Sequence, residues 1–151
     1  MTTIRFFVPG TPVPQGSMRH VGHGRVVHSN AAALLPWRDS VRAAAAAAMG
    51  GRELWIGPVS MLLRFEFPRP KSHLGTGRNA GALRAGAPWF HMQTPDIDKL
   101  QRAVLDALTG VVWRDDSQVF RVTATKAWTI AGGSTTIIVR PPIATATEWA
   151  A

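Results

Sequence analysis

The chain has 151 residues, 46% of them hydrophobic and 17% charged, which predicts one ordinary domain with a single core. Its 17 Lys and Arg outnumber 9 Asp and Glu, and the resulting net charge of +8 favours a polyanionic partner, nucleic acid first. The absence of cysteine excludes disulfide frameworks, thiol catalysis and cysteine-ligated metal centres. Because no apolar segment has the length of a membrane span or the layout of a signal peptide, we expect a cytoplasmic protein without a membrane partner.

The first half of the chain predicts a strand, a basic segment, a helix and a second strand. These occupy Ile4 to Val8, residues 19–28, Leu34 to Met49 and Val59 to Phe67. Pro and Gly residues end both strands, and an alanine run followed by Gly50 marks the end of the helix. The basic segment either lies along phosphates or forms a solvated hairpin.

The second half predicts a long basic loop over 68–93, a helix from Pro95 to Leu108, and strands over 118–128 and 135–139. Gly132 and Gly133 indicate a hairpin between these last two strands. We therefore expect an α/β (α+β) fold over residues 1–151, with a small mixed sheet covered by two main helices.

Carboxylates are concentrated around the second predicted helix, although the protein as a whole is basic. Five of the nine acidic residues fall within about twenty positions: Asp96, Asp98, Asp106, Asp115 and Asp116. Close carboxylates repel one another unless a cation compensates, and such oxygen ligands suit Mg²⁺. Because Mg²⁺ polarises phosphoryl oxygens and lowers the pKa of a bound water, the pattern indicates phosphodiester hydrolysis.

An alternative explanation of these carboxylates needs no metal. Thr94 would cap the helix with Pro95 at its first position, and the helix dipole would favour Asp98 in the first turn. Asp115 and Asp116 would then be ordinary turn residues. This alternative does not explain why acidic pairs flank both ends of one helix.

Three sequence blocks follow one another around the second predicted helix: TPDIDKL at 94–100, LDALT at 105–109 and WRDDSQV at 113–119. Their order resembles that of the Asp-x-Asp-Asn-Leu, Asp-Ala-Leu and Asp-Asp-x-Gln-Val blocks of the RusA-type Holliday junction resolvases. PGTPVPQG at 9–16 and PRPKSH at 68–73 resemble its phage and prophage branches. The segment between Thr109 and Asp115 is one residue shorter than in the family.

This resemblance implies a homodimeric, Mg²⁺-dependent endodeoxyribonuclease, with Mn²⁺ as a possible substitute, that nicks two opposed strands of a four-way DNA junction. It implies no small-molecule cofactor and a location in the cytoplasm of a bacterium or a phage-infected host. Asp96, Asp98 and Asp116 match the family's catalytic, metal-binding aspartates. Asp106 and Asp115 match further acidic motif positions.

Two positions depart from the family pattern. Lys99 stands where the family has Asn, and Arg102 stands where it has a catalytically important Lys. Arginine keeps the positive charge but does not give up a proton at working pH. We expect Arg102 to neutralise charge on the scissile phosphate.

Basic side chains outside the acidic motifs are candidates for sequence-independent phosphate contacts, although each of them is also an ordinary solubilising residue. The predicted DNA-binding residues are Arg19, Arg25, Arg69, Lys71 and Lys99. Two other functions stay open from sequence: a DNA-binding module without catalysis, and another metal-dependent nuclease or nucleotide phosphohydrolase. A third, a structural or assembly protein, is disfavoured by the ordered motifs.

Overall fold

The computed structural model describes residues 2–142 and contains, within that range, two α-helices and six strands. Their bounds are β1 (Ile4–Pro9), β2 (Met18–His20), β3 (Val26–His28), α1 (Ala31–Met49), β4 (Val59–Pro68), α2 (Ile97–Leu108), β5 (Val119–Thr129) and β6 (Ser134–Arg140). Short 3₁₀ turns lie at Lys71–His73, Gly77–Asn79 and Asp116–Gln118. This mixed α+β architecture confirms the predicted fold class.

One face of the main sheet packs on both helices and forms the core. Alternate residues of β1 and β4 are buried, as the period of two along a strand requires, and Leu63 and Phe65 are fully enclosed. The helices contribute Val41 from α1 and Leu100 and Val104 from α2 to the same cluster. Within residues 2–142 the opposite face of the sheet carries no helix, so side chains such as Phe7 stay exposed.

The predicted hairpin between the last two strands is wrong. The sheet order is β1-β6-β4-β5, so β6 lies between β1 and β4, antiparallel to both, while β5 pairs with β4 in parallel. The β4-α2-β5 crossover places β5 parallel to β4, and residues 130–133 then carry the chain past the end of β4. The period of two is the same for every strand and does not specify which strands become neighbours.

Both helices begin at other residues than the sequence predicts. Helix α1 begins at Ala31, three residues early, because Ala31 to Ala33 favour a helix and the N–H groups of Ala33 and Leu34 bond to the Asn30 carbonyl. Helix α2 begins at Ile97, two residues late. None of the helices within residues 2–142 combines the length and the apolar character needed to cross a bilayer.

The basic segment at 19–28 forms a hairpin, which is one of the two structures that the sequence left open. Strands β2 and β3 pair antiparallel from Met18 opposite His28 to His20 opposite Val26. Most side chains of this hairpin are exposed.

Candidate active site

The first turn of α2 is fixed by contacts from two other parts of the chain. The N–H of Gln15, in the loop after β1, donates to the carbonyl of Lys99 at 3.0 Å. The same loop is held by Asn30, whose Nδ2 donates to the Pro14 carbonyl at 2.6 Å, and a side chain at Gly16 would collide with Asn30. The Pro-rich segment therefore serves to place the start of α2.

Lys126 of β5 holds the segment that leads into α2. Its Nζ donates to the carbonyl oxygens of Gln93 and Pro95, each at 2.6 Å. The first main-chain bond of α2 runs from the Leu100 N–H to the Asp96 carbonyl, so the helix begins at Ile97 and not at Pro95, whose carbonyl accepts from Lys126. The alternative that Thr94 caps the helix is wrong, because Asp96 occupies the cap position.

Asp96 and Asp98 line one open concave surface of about 600 Å³, together with Lys126. Although Asp96 is the cap residue, its side chain accepts no hydrogen bond from the helix N–H groups. Its Oδ2 lies 3.2 Å from Nζ of Lys99, and both side chains are about half exposed. Asp98 also borders a smaller concavity with Lys99 and Arg102, against residues 15–18. The two carboxylates are thus accessible and surrounded by three cationic side chains.

Lys126 is the site residue that the sequence reasoning missed. Burial lowers the pKa of its ammonium group below the ordinary lysine value of 10.5, and the negative charge of Asp96 opposes that shift. A signal was present, because Val122, Ala124 and Lys126 share one side of β5 and the first two pack against the core. A lysine continuing an inward-facing row is a candidate for a specific polar contact.

His91 supports this surface from below. It is 5% exposed and packs between the tilted rings of Phe67 and Trp128, whose centroids are 4.1 and 4.2 Å from that of the imidazole. Burial lowers the pKa of the imidazole below 6.5, and the positive charge of Lys126 lowers it further. His91 therefore acts as a packing residue that favours its neutral form.

The stability of the protein should depend on the protonation of His91. Since its pKa is lower in the folded than in the unfolded chain, its contribution is complete above about pH 6.5 and is lost as the pH falls toward the lowered pKa. We expect the free energy of unfolding, measured by urea titration, to fall less between about pH 7 and pH 5 in His91→Phe than in the parent. The exposed His20, changed to Phe, is the control. An unchanged pH dependence in His91→Phe would contradict this assignment.

Asp115 and Asp116 lie at the other end of the sheet, in the turn that precedes β5. Hydrogen bonding from the Ser117 side chain, and then from the Ser117 N–H at 2.8 Å, lowers the pKa of the Asp115 carboxyl group. Gln118 completes a capping box with Asp115. Asp115 is therefore a turn residue, as the metal-free alternative expects. Asp116 is exposed and, among the described residues, its carboxylate has no hydrogen bond or ion pair.

Asp116 is too far from Asp96 and Asp98 to share a ligand with them inside one chain. The seven residue steps of β5 from Val119 to Lys126 span about 23 Å at 3.3 Å per residue. Consistently, no group of three or more His, Asp or Glu side chains is placed to hold a metal ion within the described range 2–142.

The residues present still fit a Mg²⁺ site at the start of α2. This cation is usually held through one or two carboxylates, with waters and substrate phosphate oxygens completing its shell. Asp96 and Asp98 supply two exposed carboxylates on one concave surface. The donor set is therefore suited to a hard cation that is shared with a phosphate.

The predicted DNA-binding residues have different surroundings. Arg19 and Arg25 are exposed on the β2–β3 hairpin, and Lys71 is exposed in the 3₁₀ turn after β4. Arg69 is partly used by the fold, because its Nη1 donates to the Pro88 carbonyl at 2.7 Å. Lys99 contacts Asp96, as described above.

Asp106 of the second sequence block joins the two helices. Its Oδ2 lies 3.7 Å from Nη2 of Arg38 on α1, and both side chains are partly buried. The third block contributes Trp113, which is fully buried and whose indole N–H donates to Thr109. These positions support the fold and lie away from the concave surface.

Comparison with known proteins agrees with these motifs. The family described as Endodeoxyribonuclease RusA matches residues 9–140. The chain is also 30% identical over 126 residues to a Bacillus subtilis (strain 168) protein named Uncharacterized protein YqaN. The matched region covers 83% of this chain and 88% of that protein. The resemblance seen in the sequence blocks is thereby confirmed, and the chain belongs to the RusA endodeoxyribonuclease family.

Proposed function

We propose that this protein is a Mg²⁺-dependent endonuclease that resolves Holliday junctions by paired nicking, acting as a homodimer. The observation that carries the proposal is the meeting of Asp96, Asp98 and Lys126 on one concave surface in a chain of the RusA family. The exposed hairpin with Arg19 and Arg25 offers positive charge to DNA phosphates.

Asp96 and Asp98 would hold the cation. When bound there, Mg²⁺, or Mn²⁺ in its place, polarises a phosphoryl oxygen and makes a neighbouring water more acidic. Lys99 balances the charge of Asp96 before DNA binds. Arg102 is four residues after Asp98, hence on the same helix face, and its guanidinium is suited to a non-bridging phosphate oxygen.

Asp116 enters the proposal through a second subunit. Its exposed carboxylate cannot reach the pair on α2 of its own chain, as the length of β5 requires. A two-fold dimer presents every surface twice, so the partner's Asp116 can complete each of two equivalent sites. Two such sites account for one nick in each of two opposed strands.

The proposal is tested by cleavage of a labelled four-way junction beside a linear duplex of the same sequence, with Mg²⁺ or EDTA. We expect symmetric nicks in the junction alone, lost with EDTA, and junction binding that weakens steeply as salt is raised. Equal cleavage of the linear duplex would indicate another metal-dependent nuclease. A junction that is bound but not cut with any metal would indicate a DNA-binding module without catalysis.

Lys126→Met should lower the cleavage rate about 10- to 100-fold, as expected when a residue that orients metal-ligating groups is lost. The variant removes both hydrogen bonds that fix residues 93–95 in front of Asp96. Junction affinity should change less than about twofold, since phosphate contacts are spread over many side chains.

The control for this change is Arg42→Met, which removes one exposed positive charge from α1. It should retain the parent rate. Single-turnover rates across a Mg²⁺ titration separate the two variants, because only Lys126→Met should need more Mg²⁺. Equal rates for Lys126→Met and the parent would rule out the positioning role.

A further inference from the structure

Two aromatic residues sit on a short segment that pairs with the outer edge of β5. The N–H of Trp128 donates to the Trp89 carbonyl at 3.0 Å, and the N–H of His91 donates to the Lys126 carbonyl at 3.2 Å. Phe90 therefore lies opposite Ala127 in an antiparallel bridge. Trp89 and Phe90 are thus fixed by main-chain bonds to the sheet.

Both aromatic side chains are nevertheless exposed. Trp89 is 71% and Phe90 67% accessible, whereas the next residue, His91, is 5% accessible. Burial of His91 anchors the segment, so exposure of its two neighbours is not needed for the fold. Adjacent exposed aromatic rings on a fixed backbone are typical of a binding surface.

Arginine side chains accompany the rings. Trp89, Phe90, Arg64 and Thr125 line an open concavity of about 430 Å³. The guanidinium of Arg69 lies 5.6 Å from the centre of the Trp89 ring. Arg64 pairs with Glu66 at 2.9 Å but its side chain is 57% exposed. Aromatic faces with neighbouring guanidinium groups match a nucleotide, which has a flat base and an anionic phosphate.

This concavity adjoins the candidate active site. Phe90 lines both the aromatic concavity and the surface that holds Asp96 and Asp98. A DNA strand whose phosphate lies at the carboxylates can therefore extend past Phe90 to both rings. A base that is paired in a duplex cannot stack on them, because both of its faces are covered.

We propose that the concavity formed by Trp89, Phe90 and Arg64 binds one unpaired base of the DNA, stacked on the aromatic rings. Arg64 and Arg69 contact the phosphates that flank this base. The inference rests on the proposed function in taking DNA as the ligand, and it adds a reason why a branch point, where bases can unstack, is preferred to a duplex. The arginines and the shared Phe90 favour DNA over a second copy of this chain as the occupant.

The test compares two duplexes, one with a single unpaired adenosine and one with an abasic residue at the same place, bound in EDTA by fluorescence anisotropy. The parent should bind the first about tenfold more tightly, as one stacked base requires. Trp89→Ala with Phe90→Ala should abolish this preference, and Trp89→Phe should keep most of it. Phe7→Ala, which removes an exposed aromatic ring at the opposite edge of the sheet, should leave it unchanged.

Equal affinity of the parent for the two duplexes would overturn the inference. So would a double variant that becomes monomeric by sedimentation while keeping the base preference, because the rings would then belong to an interface between copies. Since binding is measured without metal, failure of junction cleavage does not affect the result. Conversely, a parent protein without the base preference could still cleave the junction, so the cleavage test remains a separate test of the proposed function.

Discussion

Asp98→Asn should slow nicking of a four-way junction about a thousandfold, since a divalent cation contributes several kcal/mol to the transition state. The amide keeps the size of the side chain and its place in the first turn of α2, but removes the negative charge that faces the concave surface. Junction binding should remain within about threefold of the parent, because most contacts of such an interface are made to phosphates elsewhere.

This result is measured as a single-turnover rate at saturating enzyme, with affinity determined separately in EDTA. Asp39→Asn is the matched control, since it removes one exposed carboxylate from α1. It should cleave at the parent rate. Cleavage by Asp98→Asn at the parent rate would contradict the metal-binding role and support the alternative, in which these carboxylates are only helix-start and turn residues.

Mixing two inactive variants should restore part of the activity if each site takes residues from both subunits. In a dimer of one Asp98→Asn and one Asp116→Asn subunit, one site contains both substitutions and the other contains none. Because random mixing of equal amounts gives about half heterodimers, about a quarter of the sites are intact. The product should be a junction nicked in one strand, not a resolved junction.

A site built within one chain predicts a different outcome, since every site in the mixture would carry one substitution. The mixture would then be as inactive as its components. Subunits are exchanged by denaturing and refolding the two variants together, and each variant refolded alone is the control. Strand-specific end labels distinguish single nicks from paired nicks. The experiment thus separates a composite site from an independent one without requiring a structure of the complex.

The regular elements were predictable because their periods are local. The alternation in β4 and the apolar stripe of Leu100, Val104 and Leu108 reflect the face that each element buries. The position of β6 between β1 and β4 was not predictable, since strand order depends on contacts between distant segments. The same limit applies to Lys126, whose partners Gln93 and Pro95 precede it by about thirty residues.

The candidate site was predictable in part. The spacing of Asp96 and Asp98 places both at the start of α2, and the structure brings them to one surface. The sequence blocks suggested that Asp116 joins them, but block order carries no information about distance. The parallel pairing of β5 with β4 places Asp116 at one end of the sheet and the start of α2 at the other end. The length of α2, and most of the length of β5, therefore lies between these carboxylates in space.

Hydrogen bonds close the base of the segment between β4 and α2, so a change in the length of this segment does not move the candidate site. The N–H of Arg69 donates to the Thr129 carbonyl, and Nη1 of Arg69 donates to the Pro88 carbonyl. Arg69 therefore joins the two ends of the segment at the edge of the sheet. Inserting or deleting residues between 74 and 84 changes the loop-closure entropy only slightly. We therefore expect that a tag or a reporter domain inserted there leaves Asp96 in place.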